Sequence, residues 1–203
     1  EIDGRRRHEI NPATERPYLY SMERFPGTCV ETYREIAKRA KIVPDAEVEA
    51  KLWNIGMGAF DERRYVKNVN PEALSALDFL KKQGDRLVLL TAGDARVQTK
   101  KVSALRVVGI NHFEAVYVVD KKMPEDFKGF IEEFWGYKCF SVGNNYNSDI
   151  LPALDEGFRG IFIPVETWEV IGKMDHIVAS IDSRRCVVIK NLQDIEGIYG
   201  DLG

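Results

Sequence analysis

Three short polar stretches, each closing an apolar run, hold the side chains of this 203-residue chain that could do chemistry. They are Thr91-Ala92-Gly93-Asp94, Asp120-Lys121-Lys122, and Gly143-Asn144-Asn145 with Asp149 just beyond; a fourth apolar run ends at Pro164. A hydroxyl and an ammonium suit a phosphoryl group, and a carboxylate suits Mg2+. Polar residues also end strands in any protein of this kind, so residue type alone leaves a purely structural role open.

The elements that must position these residues are legible in the surrounding pattern. Short apolar runs recur as RLVLLTAG, AVYVVD, KCFSVGN and GIFIP, with CVVIKNL in the tail. Such runs ending in small or polar residues are the mark of buried parallel strands. Between them, apolar spacing predicts helices from Ala95 to about Val107, over Pro124–Phe134 and over Ser148–Glu156. Another starts at Asn70-Pro71-Glu72, with Leu74, Leu77, Phe79 and Leu80 following. Strands alternating with helices at this spacing predict an α/β protein with a doubly wound parallel sheet. Ligands in such sheets bind beyond the carboxyl ends of the strands, where the polar stretches lie.

Residues 1–68 read differently, as helix and loop without a convincing strand. Val30, Tyr33, Ile36 and Ala37 fall at helical spacing after Pro26-Gly27, and a second helix is expected after Pro44-Asp45, loosened at Gly56 and Gly58. The Pro- and Arg-rich opening is poorly periodic, and no regular structure is expected there. The expected organisation is a helical module over 1–68 and an α/β core over 69–203.

Composition excludes several classes. Hydrophobic residues make up 44% and charged residues 30%, a globular profile rather than a disordered one. No apolar run approaches the roughly 20 residues that span a bilayer, and the opening residues hold no apolar h-region. A formal charge of −3 argues against general nucleic-acid binding, and the Arg5-Arg6-Arg7 run is too short to reverse this. Cys29, Cys139 and Cys186 form no CxxC pair, which fits a reducing cytoplasm, and Cys139 and Cys186 read as buried small hydrophobes. His8, His112 and His176 show no metal spacing. No GxxxxGK[ST] or GxGxxG loop and no internal repeat is present.

LVLLTAGD followed by a helix, then VVDKKMPEDF, then SVGNNYNSDILPALDEGFRGIFIP, resembles the haloacid dehalogenase-like (HAD) hydrolases over roughly residues 70–170. The last block is the most specific. The resemblance implies a Rossmann-like core with a small helical cap. It implies that Thr91 hydrogen-bonds the transferring phosphoryl group and that Lys122, or alternatively Lys121, neutralises nucleophile and phosphate. Asp149 matches the acidic residue that holds Mg2+. Asn144 stands where most members carry the first acid of the pair, so the implied catalytic set is Thr91, Lys122 and Asn144, and the metal site at Asp149, one negative charge short, would bind Mg2+ more weakly.

The family's nucleophile motif, an apolar strand followed by Asp-x-Asp, is not matched. Glu1-Ile2-Asp3-Gly4 has Glu in the nucleophile's place, Arg5 after it and no strand before it. The nucleophile is therefore expected upstream of residue 1. What the resemblance implies is a cytoplasmic Mg2+-dependent phosphohydrolase acting on a small phosphorylated metabolite, with the cap choosing the substrate through residues such as Arg24, Trp53, Arg63 and Arg64. Dehalogenation needs no Mg2+ and fits Asp149 less well; an inactive relative binding a phospho-metabolite or a protein is the alternative. A receiver-like signalling domain fits neither the last block nor the cap. Helical caps can also pair two copies, making a homodimer a candidate state. Trp168 reads as an anchor for the C-terminal loop.

Overall fold

The computed structural model describes residues 1–166 and 171–202. Trp168 lies outside them. In chain order, α1 (Ile2–Arg6) leads into β1 (Ile10–Asn11) and β2 (Arg16–Pro17), then α2 (Arg24–Arg39), α3 (Ala46–Met57) and α4 (Glu62–Lys67). Next come α5 (Glu72–Gln83), β3 (Val88–Ala92), α6 (Ala95–Val107), β4 (Ala115–Val119) and α7 (Pro124–Glu133). The chain ends with β5 (Phe140–Gly143), α8 (Leu151–Asp155), β6 (Arg159–Phe162), α9 (Met174–Ala179), β7 (Cys186–Val188) and α10 (Asp194–Ile198). Two compact units result: Glu1–Val69 with Thr91–Asn111 and Val116–Asp120, and Asn70–Leu90 with His112–Ala115 and Lys121–Gly203.

In the first unit the opening residues are more regular than their composition suggests. Residues 2–6 are helical, and β1 and β2 form an antiparallel hairpin with Ile10 opposite Pro17. This corrects the expectation of no strand before residue 68. The cause is turn chemistry: Asn11 is buried, its side-chain oxygen accepts the Ala13 N–H at 3.0 Å, and its carbonyl accepts from Thr14 and Glu15. Asp45 caps α3 by accepting the Glu47 N–H at 2.7 Å. Gly56 does not loosen that helix, which runs on to Met57. A Cβ at Gly56 would sit 2.6 Å from Pro26 Cα, so the glycine lets α3 cross closely over α2.

In the second unit β5, β6 and β7 form a parallel sheet, with Ser141 opposite Gly160 and Ile161 opposite Val187. A separate two-stranded ladder joins β3 to β4. Neighbours along β6 point to opposite faces, as strand geometry requires. Phe162 packs with Ile150, Leu154 and Cys186 below α9, whereas Ile161 packs with Ile189, Ile195 and Leu202, joined by Leu80 of α5. Apolar clusters on both faces are what doubly wound connectivity demands. Cys186 is buried as expected; Cys139 is only partly so.

The helix expected at Ser148–Glu156 begins instead as a wide π-turn over Tyr146–Ile150, and α8 proper starts at Leu151. Pro152 explains the difference. It has no N–H for an i−4 bond, and its ring would crowd the carbonyl one turn back, which a wider turn relieves.

Candidate functional site

β5 ends at Gly143, and the chain passes through Asn144 and Asn145 into the π-turn that carries Asp149. Asn145 caps this turn, its side-chain oxygen accepting the N–H groups of Asn147 at 3.1 Å and Ser148 at 3.2 Å. Asp149 folds back over the strand end. Its Oδ1 accepts from Lys122 Nζ at 2.7 Å and from Ser148 Oγ at 3.3 Å, and its Oδ2 accepts the Asn145 N–H at 2.9 Å. Ser141 Oγ donates to the Asp149 carbonyl at 2.6 Å, fastening the turn to β5. Only glycine fits at 143, because a Cβ there would lie 2.4 Å from Asp149 Cβ.

Lys122 and Asp149 retain 17% and 12% of their side-chain exposure, so this pair is screened far less than a surface pair. Lys121 is exposed, and Lys122 is the lysine in contact with Asp149. Lys122 is held just ahead of α7, whose start is fixed by Pro124 and by the Met123 N–H donating to Asp126 at 2.8 Å. Asn144 is exposed at the end of β5.

Thr91 belongs to the other unit. It lies near the end of β3, where its hydroxyl donates to Gln98 Oε1 at 2.9 Å. Gly93 follows with φ +129°, a conformation that only glycine takes without strain, and donates to the Val119 carbonyl at 2.8 Å. Asp94 caps α6 and also accepts the Met22 N–H at 2.9 Å. The Arg96 guanidinium grips Asp94 at 2.6 Å and both oxygens of Glu23 at 2.6 and 2.8 Å. Arg96 holds the Asp94 carboxyl down at about 2, against the opposing effect of burial, and lowers that of Glu23 as well.

The remaining candidates of the helical segment are dispersed. Arg24 pairs with Asp3 at 3.4 Å, which places Asp3 on a helix rather than after a strand. Arg63 folds back on Asp61 at 2.6 Å, and Arg64 is exposed. Trp53 lines an open cavity of about 420 Å³ with Arg6, Gly27, Val30, Glu31 and Arg34. Gln98, Ser141, Ser148 and the Arg96–Glu23 pair were not evident from sequence. Of these, only Ser148 carries a local signal, since its spacing from Asn145 follows a helix-capping pattern.

Mg2+ takes hard oxygen ligands. A carboxylate and a neighbouring amide are the hard oxygen donors that ion prefers, and phosphate and water ordinarily complete its shell. By donor type alone, Asp149 and Asn144 suit such an ion. Among the described residues no group of three His, Cys, Asp or Glu side chains comes together, and Lys122 already neutralises Asp149 Oδ1.

No protein-family model matches the chain, and no curated protein matches it. Solved structures do. The chain has the fold of the haloacid dehalogenase-like hydrolases. It is similar to such a hydrolase from Xanthomonas campestris with a TM-score of 0.67 and 19% identity, over 91% of this chain and 74% of that one. A HAD phosphatase from Thermococcus onnurineus matches with a TM-score of 0.52 and 18% identity, over 85% of this chain and 88% of that one. A protein described as a HAD-hydrolase from Bacillus subtilis, bound to magnesium, matches with 0.52 and 16%, over 85% and 71%. Among the described residues no helix is long and apolar enough to cross a membrane.

Proposed function

We propose that this chain belongs to a Mg2+-dependent phosphohydrolase acting on a small phosphorylated metabolite in the cytoplasm, with residues 1–68 as cap and 69–203 as core. The observation that carries this is the Lys122–Asp149 pair, 2.7 Å apart and largely buried, just beyond the carboxyl end of parallel strand β5. The fold shared with a HAD phosphatase supports it.

In this scheme a nucleophilic carboxylate bonds to phosphorus while the bond from phosphorus to the leaving oxygen breaks. Water then hydrolyses the aspartyl-phosphate. Lys122 neutralises charge on the nucleophile and phosphate, Thr91 donates to a phosphoryl oxygen, and Asp149 with Asn144 would hold the metal. When bound, Mg2+ supplies further neutralisation of the phosphoryl oxygens. The test is release of inorganic phosphate from a panel of phosphomonoesters by the full-length protein, with Mg2+ and with EDTA. Mg2+-dependent release from some member supports the scheme. Asn144, an amide where a second acid would strengthen the metal site, favours one other scheme, an inactive binder; its outcome is saturable phosphate-ester binding without release.

A further inference from the structure

Gln98 is a polar side chain only 7% exposed, on α6, and nothing above gives it work to do. The sense of its amide is dictated by its neighbours. Nε2 donates to the Ala92 carbonyl at 3.0 Å, and a carbonyl can only accept, so Oε1 is the atom that faces Thr91. That oxygen can only accept as well. The single proton of the Thr91 hydroxyl therefore lies on the 2.9 Å line to Gln98. Gly93 makes room for this arrangement, since a Cβ there would come within 2.9 Å of Gln98 Nε2. With its proton committed, Thr91 offers lone pairs but no donor, whereas a phosphoryl oxygen needs a donor.

We propose that Gln98 is a positioning residue that makes the Thr91 hydroxyl a two-position switch, its proton on Gln98 Oε1 in the free protein and on a phosphoryl oxygen when ligand binds. This rests on the function proposed above, in which Thr91 contacts the phosphoryl group. Binding leaves a buried amide oxygen without its donor, so Gln98 works against ligand affinity. An anionic oxygen attracts the proton more strongly than the neutral amide does; a neutral ligand oxygen does not. Gln98 thereby tunes Thr91 to anionic groups.

A double-mutant cycle of Gln98→Met and Thr91→Val in the full-length protein tests this, with thermal midpoint and Kd for inorganic phosphate as readouts. Thr91→Val alone should lower the midpoint by about 2–4 °C, because Gln98 Oε1 loses its donor, and the double variant should fall by less than the sum of the singles. Gln98→Met should tighten phosphate binding by about 3- to 10-fold with Thr91 present and not at all in the Thr91→Val background. Gln98→Glu, which keeps an acceptor facing Thr91, should weaken phosphate binding, and it serves if Gln98→Met fails to fold. Phosphate affinity unchanged or weakened by Gln98→Met overturns the switch. Coupled midpoints with a phosphate Kd indifferent to Thr91→Val would mean that Thr91 does not contact phosphate, and the switch falls with that contact. Additive midpoints, with a Kd that does respond to Thr91→Val, overturn the switch alone and leave the phosphoryl contact standing.

Discussion

Lys122 Nζ lies 2.7 Å from Asp149 Oδ1, and the two side chains are 27 residues apart in sequence. The strand-end lysine ahead of α7 and the π-turn after β5 meet in one unit, where Gly143 clears the space that Asp149 occupies. As it stands, the pair is a neutralised carboxylate. A divalent cation approaching Asp149 must compete with an ammonium for Oδ1.

That competition sets the expected behaviour towards metal. Lys122→Ala should tighten Mg2+ binding several-fold, and Asp149→Asn should remove most of it while leaving far-UV dichroism unchanged. Titration calorimetry at fixed ionic strength measures both. Weaker Mg2+ binding in Lys122→Ala would place the metal away from Asp149.

Gly143→Ala puts a methyl group 2.4 Å from Asp149 Cβ, a separation the structure can meet only by shifting the π-turn. We expect a loss of about 1–3 kcal/mol in urea denaturation, from overpacking, together with impaired Mg2+ binding. An alanine variant of unchanged stability would contradict the close approach.

Acid should loosen the first unit through Asp94. Its carboxyl titrates at about 2 instead of 3.8, held down first by Arg96, so the unfolded chain takes up the proton more readily than the folded one. The resulting stabilisation is fully present above about pH 4 and is lost as pH falls towards 2. It is on the order of 1–2 kcal/mol, since Arg96 is half exposed and partly screened by solvent. Denaturation midpoints at pH 6 and pH 3 should converge for Asp94→Asn relative to the parent protein; an equal drop in both proteins would rule Asp94 out.

What could be read from sequence was the part governed by local pattern. The apolar runs ending at Ala92, Val119, Gly143 and Phe162 are strands, but burial, which the same pattern implied, holds mainly for β6: Val116, Tyr117 and Val118 of β4 are exposed. Helix ends at Asp45 and Asp94 followed from capping chemistry that acts within a few residues. Gly56 misled because local propensity counts against glycine in a helix, whereas the crossing over Pro26 is a tertiary fact. The Arg96–Glu23 pair joins residues 73 positions apart and leaves no local trace. The choice between Lys121 and Lys122 also depends on which way each side chain points, and neighbouring lysines look alike in a sequence.

The most direct measurement is phosphate release from a responsive phosphomonoester by four full-length proteins in parallel: the parent, Asp149→Asn, Lys122→Ala and Lys121→Ala, each with Mg2+ and with EDTA. We expect Mg2+-dependent turnover in the parent and in Lys121→Ala, and a fall of at least about 100-fold in Asp149→Asn and Lys122→Ala. Equal turnover in all four, or turnover indifferent to Mg2+, would contradict a phosphoryl-transfer site built on Lys122 and Asp149.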